Sequence, residues 1–151
     1  KMNSIMRNLL IAVAIAAAPV VAAQAHEGAT GIVKQRMDAM SDMAKRAKAI
    51  SKRLRSGRDL AAVKDDAAML KKLAGEIAAL FPAGSLSKHS EAREGIWQNW
   101  PDFTAKADAL AAEAAKLAAI APDNVAALRQ QMKAVANTCG ACHEDYRVKK
   151  N

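Results

Sequence analysis

The sequence has few aromatic residues and no stretch whose apolar and polar residues alternate as in a β-strand. Aromatic side chains make up 3% of the 151 residues, and β-branched residues are scarce outside the first 25. With alanine so common, this composition predicts helices and excludes a sheet. Alanine fills little volume, so either the helices pack very closely or another group fills the interior.

The chain also lacks an apolar run long enough for a transmembrane helix. The run Leu9–Ala18 is shorter than the roughly 20 residues that a membrane span needs, and no basic cluster follows it. Arg7 precedes this run, and Ala23-Gln24-Ala25 offers the small residues of a cleavage site. We therefore predict a signal peptide over residues 1–25, export to the periplasm, and a mature domain over residues 26–151 with no membrane span.

Acidic residues are outnumbered, and the formal net charge is +8. Removal of the leader takes away two of these positive charges, Lys1 and Arg7. An exported protein is not expected to bind nucleic acid. The excess positive charge then indicates either solvated helix faces, which we favour, or a patch that docks an acidic partner protein.

Four amphipathic segments follow the leader, at about 31–55, 58–80, 101–120 and from 123 onwards. In each segment apolar or small residues recur at alternating steps of three and four, which predicts one buried helix face. The predicted buried positions are Val33, Met37, Met40, Ala44, Ala47, Ser51 and Leu54; Leu60, Val63, Ala67, Leu70, Ala74 and Ile77; Phe103, Ala107, Leu110, Ala114 and Leu117; and Val125, Leu128, Met132, Val135, Cys139, Cys142 and Tyr146.

Short breaks separate the helices of each pair. Ser56-Gly57 lies between the first two segments and Pro122-Asp123 between the last two, with Asp123 suited to cap a helix N-terminus. Short connections favour antiparallel neighbours, and a longer crossover, 81–100, joins the two pairs. We predict an all-α fold, an antiparallel up-down-up-down four-helix bundle. Its outer faces on the first two helices carry enough alanine to permit a homodimer.

The two cysteines stand three residues apart in Cys139-Gly140-Ala141-Cys142-His143. A disulfide across so small a loop would add little stability. C-x-x-C-H is instead the attachment signature of c-type haem. Thiols one helical turn apart can add to the two vinyl groups of one porphyrin, and His143 then presents its imidazole to the iron. Since both cysteines lie on the predicted buried face, the haem would point into the bundle.

Rival chemistries fit the motif less well. A thioredoxin-type dithiol needs a preceding strand and a βαβ context, neither of which is predicted. Structural zinc needs four ligands, and the only other histidines are His26 and His89. A haem-free helical scaffold protein would leave C-x-x-C-H unexplained. The sequence therefore predicts one covalent haem c with its iron.

Four stretches carry a family resemblance: Cys139–Arg147, Arg36–Met40, Phe81–Ser85 and Ile96–Trp97. On these the whole mature chain resembles the class II c-type cytochromes, which include cytochrome c′ and its low-spin c-556 relatives. Family members often have proline before the Glu-Ile-Trp stretch, where this chain reads Arg93-Glu94-Gly95. The conformation just before Trp97 is therefore left open, as is whether that indole lies near the haem edge or, as we favour, helps to close one end of the core.

The resemblance implies roles for individual residues. Cys139 and Cys142 match the thioether cysteines, and His143 matches the proximal axial ligand. Arg36 matches an arginine beside a haem propionate, the alternative being an exposed helix charge. Arg147 matches a basic residue near the proximal imidazole, the alternative being a surface charge.

Met40, one turn after Arg36, is expected to lie against the distal haem face. If its thioether binds iron, the six-coordinate site suits one-electron transfer with a periplasmic redox partner protein. If Met40 only covers that face, a five-coordinate iron would bind small gases such as NO or CO. We expect electron transfer. No acid–base constellation stands beside the motif, so no enzymatic turnover is expected.

Overall fold

A computed structural model describes residues 28–149. The predicted signal peptide, residues 1–25, lies outside the described residues and stays a prediction. The described chain forms five α-helices: α1 Gly31–Ser56, α2 Ala62–Glu76, α3 Gly95–Gln98, α4 Trp100–Ala119 and α5 Val125–Tyr146. A single 3₁₀ turn, Ala78–Leu80, follows α2.

The four long helices form the predicted all-α, antiparallel bundle, and the short α3 lies in the crossover. α2 packs most extensively on α4, α4 on α5 and α1 on α2, whereas α1 and α5 touch much less. Within residues 28–149 the only β-type pairing is one isolated bridge, between Ala92 and Arg147. None of the helices in this range is long and apolar enough to cross a membrane.

Local chemistry explains where the helices end. Gly57 takes the left-handed conformation, with φ of 68°, and its N–H returns to Arg53 O, which closes α1 in a way that glycine tolerates without strain. The predicted cap of the last helix was wrong by one residue. Asn124 rather than Asp123 is the N-cap of α5, because its side-chain oxygen accepts from Ala127 N at 3.2 Å.

The predicted buried faces of α2, α4 and α5 are confirmed. Buried side chains at these positions include Val63, Ala67, Leu70, Ala74 and Ile77; Phe103, Ala107, Leu110, Ala114 and Leu117; and Leu128, Met132, Val135 and Tyr146. Small residues do allow close packing between α2 and α4, since the four alanines among them are at most 4% exposed. The much smaller contact between α1 and α5 leaves that side of the bundle for the other expectation, a group that fills the interior.

The buried face predicted for α1 was partly wrong. Its buried residues are Val33, Arg36, Met43, Ile50 and Leu54, while the predicted Ala44 is exposed. The predicted face goes from Val33 to Met37, four residues on, whereas the observed buried face goes from Val33 to Arg36, three residues on. The reason is Arg36, a charged residue that pattern reasoning assigns to the polar face.

Candidate functional site

The antiparallel topology brings four helix segments to one end of the bundle. They are the first turns of α1 and α4 and the last turns of α2 and α5. This end, which we call the motif end, therefore holds Met40 on α1 and the C-x-x-C-H motif on α5. Most of the long crossover loop, 81–94, lies here as well, because it leaves α2 and enters α3 and α4.

Cys139 and Cys142 lie one turn apart on α5. Both thiols are free, half-buried and packed against the hydrophobic core. Burial raises the pKa of both thiols, so the folded chain holds them in the protonated form. Their shared inward orientation fits two thioether bonds to one planar group at the edge of the core.

His143 follows on the same helix and is half-buried. Burial first, and then the positive charge of Arg147, lower the pKa of the imidazole. The neutral ring is the form that binds a metal ion. Arg147 itself is exposed and pairs with Glu91 at 3.7 Å, so it combines a surface position with an electrostatic effect on His143.

Arg36 is 3% exposed, which rules out the solvated helix charge that was its alternative. Its guanidinium donates from Nε to Leu80 O at 3.0 Å, from Nη1 to Ser85 O at 3.3 Å and Ser90 Oγ at 3.1 Å, and from Nη2 to Ser85 Oγ at 2.5 Å. The ring of Phe81 lies 4.0 Å from its central carbon. Hydrogen bonds and the ring face together compensate the buried charge.

The predicted propionate contact of Arg36 stays a prediction, but the geometry limits its form. A guanidinium carries five N–H donors, and within residues 28–149 the bonds named above use four of them. The remaining N–H is on Nη2. A carboxylate at the motif end would therefore meet one free donor and a positive charge, which suits a propionate bound through one oxygen.

The three methionines of α1 near the motif end differ in burial. Met43 is 7% exposed and belongs to the core, whereas Met37 and Met40 are half-buried. Of the latter two, Met40 packs against the core cluster. Its thioether is therefore inward-facing and only partly covered by protein atoms.

All five aromatic residues of the chain gather at the motif end. The ring of Phe103 lies 4.9 Å from that of Phe81, 5.5 Å from Trp100 and 5.4 Å from Tyr146. Trp97 Nε1 donates to Phe81 O at 2.9 Å. The indoles thus help to close one end of the core, as we favoured. The conformation before Trp97, which the sequence left open, is the start of the short helix α3.

Sequence reasoning missed a polar cluster beside the motif. Tyr146 donates to Asp102 Oδ2 at 2.5 Å. Lys106 donates a short hydrogen bond to the same carboxylate oxygen, and its ammonium also pairs with Asp145 at 3.2 Å. The spacing of Asp102 and Lys106, one helical turn apart, was a readable signal of their pairing. Their meeting with Tyr146 joins residues 44 positions apart, which spacing alone cannot show.

Within the described part of the chain, no group of three or more His, Cys, Asp or Glu residues could hold a metal ion by themselves. The groups present are two thiols at positions 139 and 142 and an imidazole at position 143 of one helix. They instead fit a porphyrin that brings four nitrogen ligands of its own. The residues of the motif end therefore fit a covalent haem with His143 as the protein ligand.

Comparison with known proteins agrees with this geometry. The sequence model of the family described as Cytochrome C′ matches residues 31–147. A cytochrome c-556 from Agrobacterium fabrum is 38% identical over 92 residues, which cover 61% of this chain and 62% of that protein. A cytochrome c-554 from Cereibacter sphaeroides is 40% identical over 73 residues, 46% of this chain and 48% of that one. The matches thus span about half to three-fifths of these relatives.

Solved structures share the fold over a larger part. Cytochrome c′ from Rhodopseudomonas palustris has a TM-score of 0.74 at 28% identity, covering 82% of this chain and 100% of that one. A nitric oxide complex of a cytochrome c′ variant from Alcaligenes xylosoxidans has a TM-score of 0.70 at 31% identity, covering 79% and 94%.

Proposed function

Because the chain belongs to the cytochrome c′ family, whose members carry covalent haem c, we propose that it transfers single electrons in the periplasm. The haem iron supplies this chemistry by cycling between its ferrous and ferric states. The chain's own part is to hold the group and set its environment. Cys139 and Cys142 anchor it, and His143 is the proximal ligand.

The observation that carries this proposal is the location of Met40. It lies on α1 at the end of the bundle that holds the C-x-x-C-H motif, and its half-buried side chain faces the core. If the Met40 thioether and the His143 imidazole both held the iron, they would form the methionine–histidine ligand pair that raises the potential of a haem in electron transfer. The aromatic rings packed at the motif end add an apolar shell, and such a shell would limit the access of water to the haem and help to set its potential.

Substitution of Met40 tests the proposal. The oxidised wild type should give low-spin electron paramagnetic resonance signals and a methionine–iron charge-transfer band, and Met40→Ala should lose both. Met37→Ala, one turn earlier on the same helix and also half-buried, is the matched control and should keep them. A high-spin ferric wild type would contradict ligation by Met40, and a chain mass without covalent haem would contradict the whole proposal.

The second candidate function is binding of small gases. It draws support from the 31% identical cytochrome c′ variant whose solved structure is a nitric oxide complex. In this case Met40 only covers the distal face, and NO or CO binds the reduced protein. A high-spin ferric wild type whose reduced form binds CO, with faster binding in Met40→Ala because the cover is removed, would favour this function over electron transfer.

Export and partners complete the proposal. The leader pattern supports cleavage after Ala25, so the intact mass of the exported protein should correspond to a chain that begins at His26. The redox partner is expected to be another periplasmic protein. Ala44 and Ala68, exposed on the first two helices, leave room for the homodimer that the sequence permits, and sedimentation analysis measures that state directly.

A further inference from the structure

The crossover loop is bonded on one side to α1 and on the other to the end of α5. On the α1 side, Arg36 donates four hydrogen bonds to Leu80, Ser85 and Ser90. On the α5 side, Arg93 N donates to Tyr146 O at 2.9 Å and Val148 N to Glu91 O at 2.8 Å, around the Ala92–Arg147 bridge. The loop therefore spans the gap between two helices that touch each other little.

The hydroxyl of Ser90 joins the two halves of this connection. Its Oγ accepts from Arg36 Nη1 at 3.1 Å and from Ala92 N at 3.1 Å. Ala92 is itself the bridge partner of Arg147, and Arg147 N donates to His143 O at 3.1 Å. Ala92 and Arg147 are held opposite each other by the bonds of their chain neighbours, Arg93 to Tyr146 and Val148 to Glu91. A path of hydrogen bonds and adjoining peptide units thus runs from α1, one turn before Met40, to the peptide of His143.

The parts of this path are rigid. Arg36 is buried at 3% exposure, and a planar guanidinium fixed by four bonds has one orientation, unlike a lysine. The phenyl ring of Phe81 supports its face at 4.0 Å. A displacement of the loop at Ser90 would therefore reach the end of α5 rather than being absorbed within the loop.

We propose that Ser90, held by Arg36, is a positioning residue that fixes the His143 end of α5 relative to Met40 on α1, and so sets the axial geometry at the haem. This proposal rests on the proposed haem function. It concerns the position of His143 on α5 relative to Met40 on α1, and it does not depend on whether Met40 binds iron.

The test compares three haem-loaded variants with the wild type. Ser90→Ala removes the shared acceptor, and Ser90→Thr keeps a hydroxyl. Ser87→Ala is the matched control, because Ser87 Oγ accepts from His89 N in the same loop and takes no part in the bonds of Arg36 or of the Ala92–Arg147 bridge. Arg36 itself is not substituted, and in Ser90→Ala it keeps its bonds to Leu80 and Ser85.

Two measurements are needed. In Ser90→Ala, amide hydrogen exchange at Arg93 and Val148 should accelerate about fivefold, the effect of losing a hydrogen bond of ordinary strength. The g-values of the ferric haem in electron paramagnetic resonance should also shift. Ser90→Thr should restore both readouts, and Ser87→Ala should leave both unchanged.

The outcomes distinguish the connection between Ser90 and the end of α5 from its effect on the haem. Faster exchange without any change in g-values would overturn the positioning role and leave only a loop contact. Unchanged exchange and unchanged g-values would overturn the connection itself. Absence of covalent haem in the wild type would overturn the proposed function and the positioning role with it, while the exchange rates would still decide whether Ser90 holds the end of α5.

Discussion

Tyr146 shows how a single side chain links the haem helix to its neighbour. It is 7% exposed and donates to Asp102. Burial, followed by the hydrogen bond and charge of Asp102, raises its pKa to about 12, against about 10 for a free tyrosine. The hydrogen bonds of Lys106 and then Tyr146 in turn lower the pKa of Asp102. The pair is thus stabilised as neutral phenol and charged carboxylate.

A pH titration checks this arrangement. Tyr146 is the only tyrosine of the chain, so tyrosinate absorbance reports this residue alone. The native midpoint should lie near pH 12 and fall to about 10 in urea. Because the folded chain holds the proton more tightly, its contribution to stability is complete below about pH 10 and is lost as the pH rises through the folded pKa.

Asp102→Asn is the control for that titration. It removes the carboxylate charge but leaves the tyrosine buried, and burial is the larger cause of the shift. The native midpoint of this variant should therefore fall only part of the way toward 10. A wild-type midpoint near that of the unfolded chain would contradict the buried hydrogen bond.

At the scale of single helices, much of the fold was predictable and one helix shows why the rest was not. On α2, α4 and α5 the buried positions are alanines and larger apolar residues with charges elsewhere, so the pattern has one solution. On α1 two registers compete, and the correct one contains Arg36. Its burial depends on Ser85 and Ser90, 49 and 54 residues further along, which no local pattern reports.

The same division holds for the candidate site. Cys139, Cys142 and His143 were predictable because their chemistry depends on spacing along one helix. The Ser90 contact and the Ala92–Arg147 bridge were not, because they form between segments that only the folded bundle brings together. Asn124 replaced Asp123 as a cap for a similar reason, since either side chain could serve and the backbone of the 121–124 turn decides.

The pairing of α1 with α2 depends on a carboxylate held between two arginines. Asp66, whose side chain is 15% exposed, accepts from Arg46 Nη1 at 3.0 Å and forms a short bond with Arg53 Nη1. We expect Asp66→Ala to lower the free energy of unfolding by about 1 to 2 kcal/mol, because these are charge-assisted and partly buried bonds. Urea denaturation measures the loss, which should shrink as salt is added.

Asp65→Ala is the matched control for that experiment. Asp65 is the exposed neighbour of Asp66 on α2, and its loss should change stability by no more than about 0.5 kcal/mol. Equal effects of the two substitutions would mean that helix propensity, rather than the bridge to α1, dominates at this position.

Across the whole molecule the packing is uneven. The interface of α2 with α4 is closed by alanines, whereas the motif end is closed by the chain's five aromatic rings and leaves Met40, Cys139 and Cys142 half-buried. Because the sequence has few bulky residues, it predicted either closely packed helices or another group that fills the interior. The molecule uses close packing on one side and has the residues proposed to hold the haem on the other.

A haem that covers those three side chains should stabilise the whole bundle. Completing the burial of three half-buried apolar groups is worth about 3 kcal/mol in total, which for a domain of this size corresponds to about 10 °C in Tm. The double variant Cys139→Ser and Cys142→Ser, which cannot attach haem, should therefore melt about 10 °C below the haem-loaded wild type in thermal unfolding followed by circular dichroism.

The control is the wild-type chain produced without its leader, so that it meets no haem attachment machinery. It keeps both thiols, and it should melt with the double variant rather than with the haem-loaded protein if the missing haem is the cause. Equal melting temperatures for haem-free and haem-loaded chains would mean that the bundle is already complete without its cofactor. Since α1 and α5 make few contacts with each other, we expect the difference to originate there, with amide protection lost first at the end of α5 that carries His143.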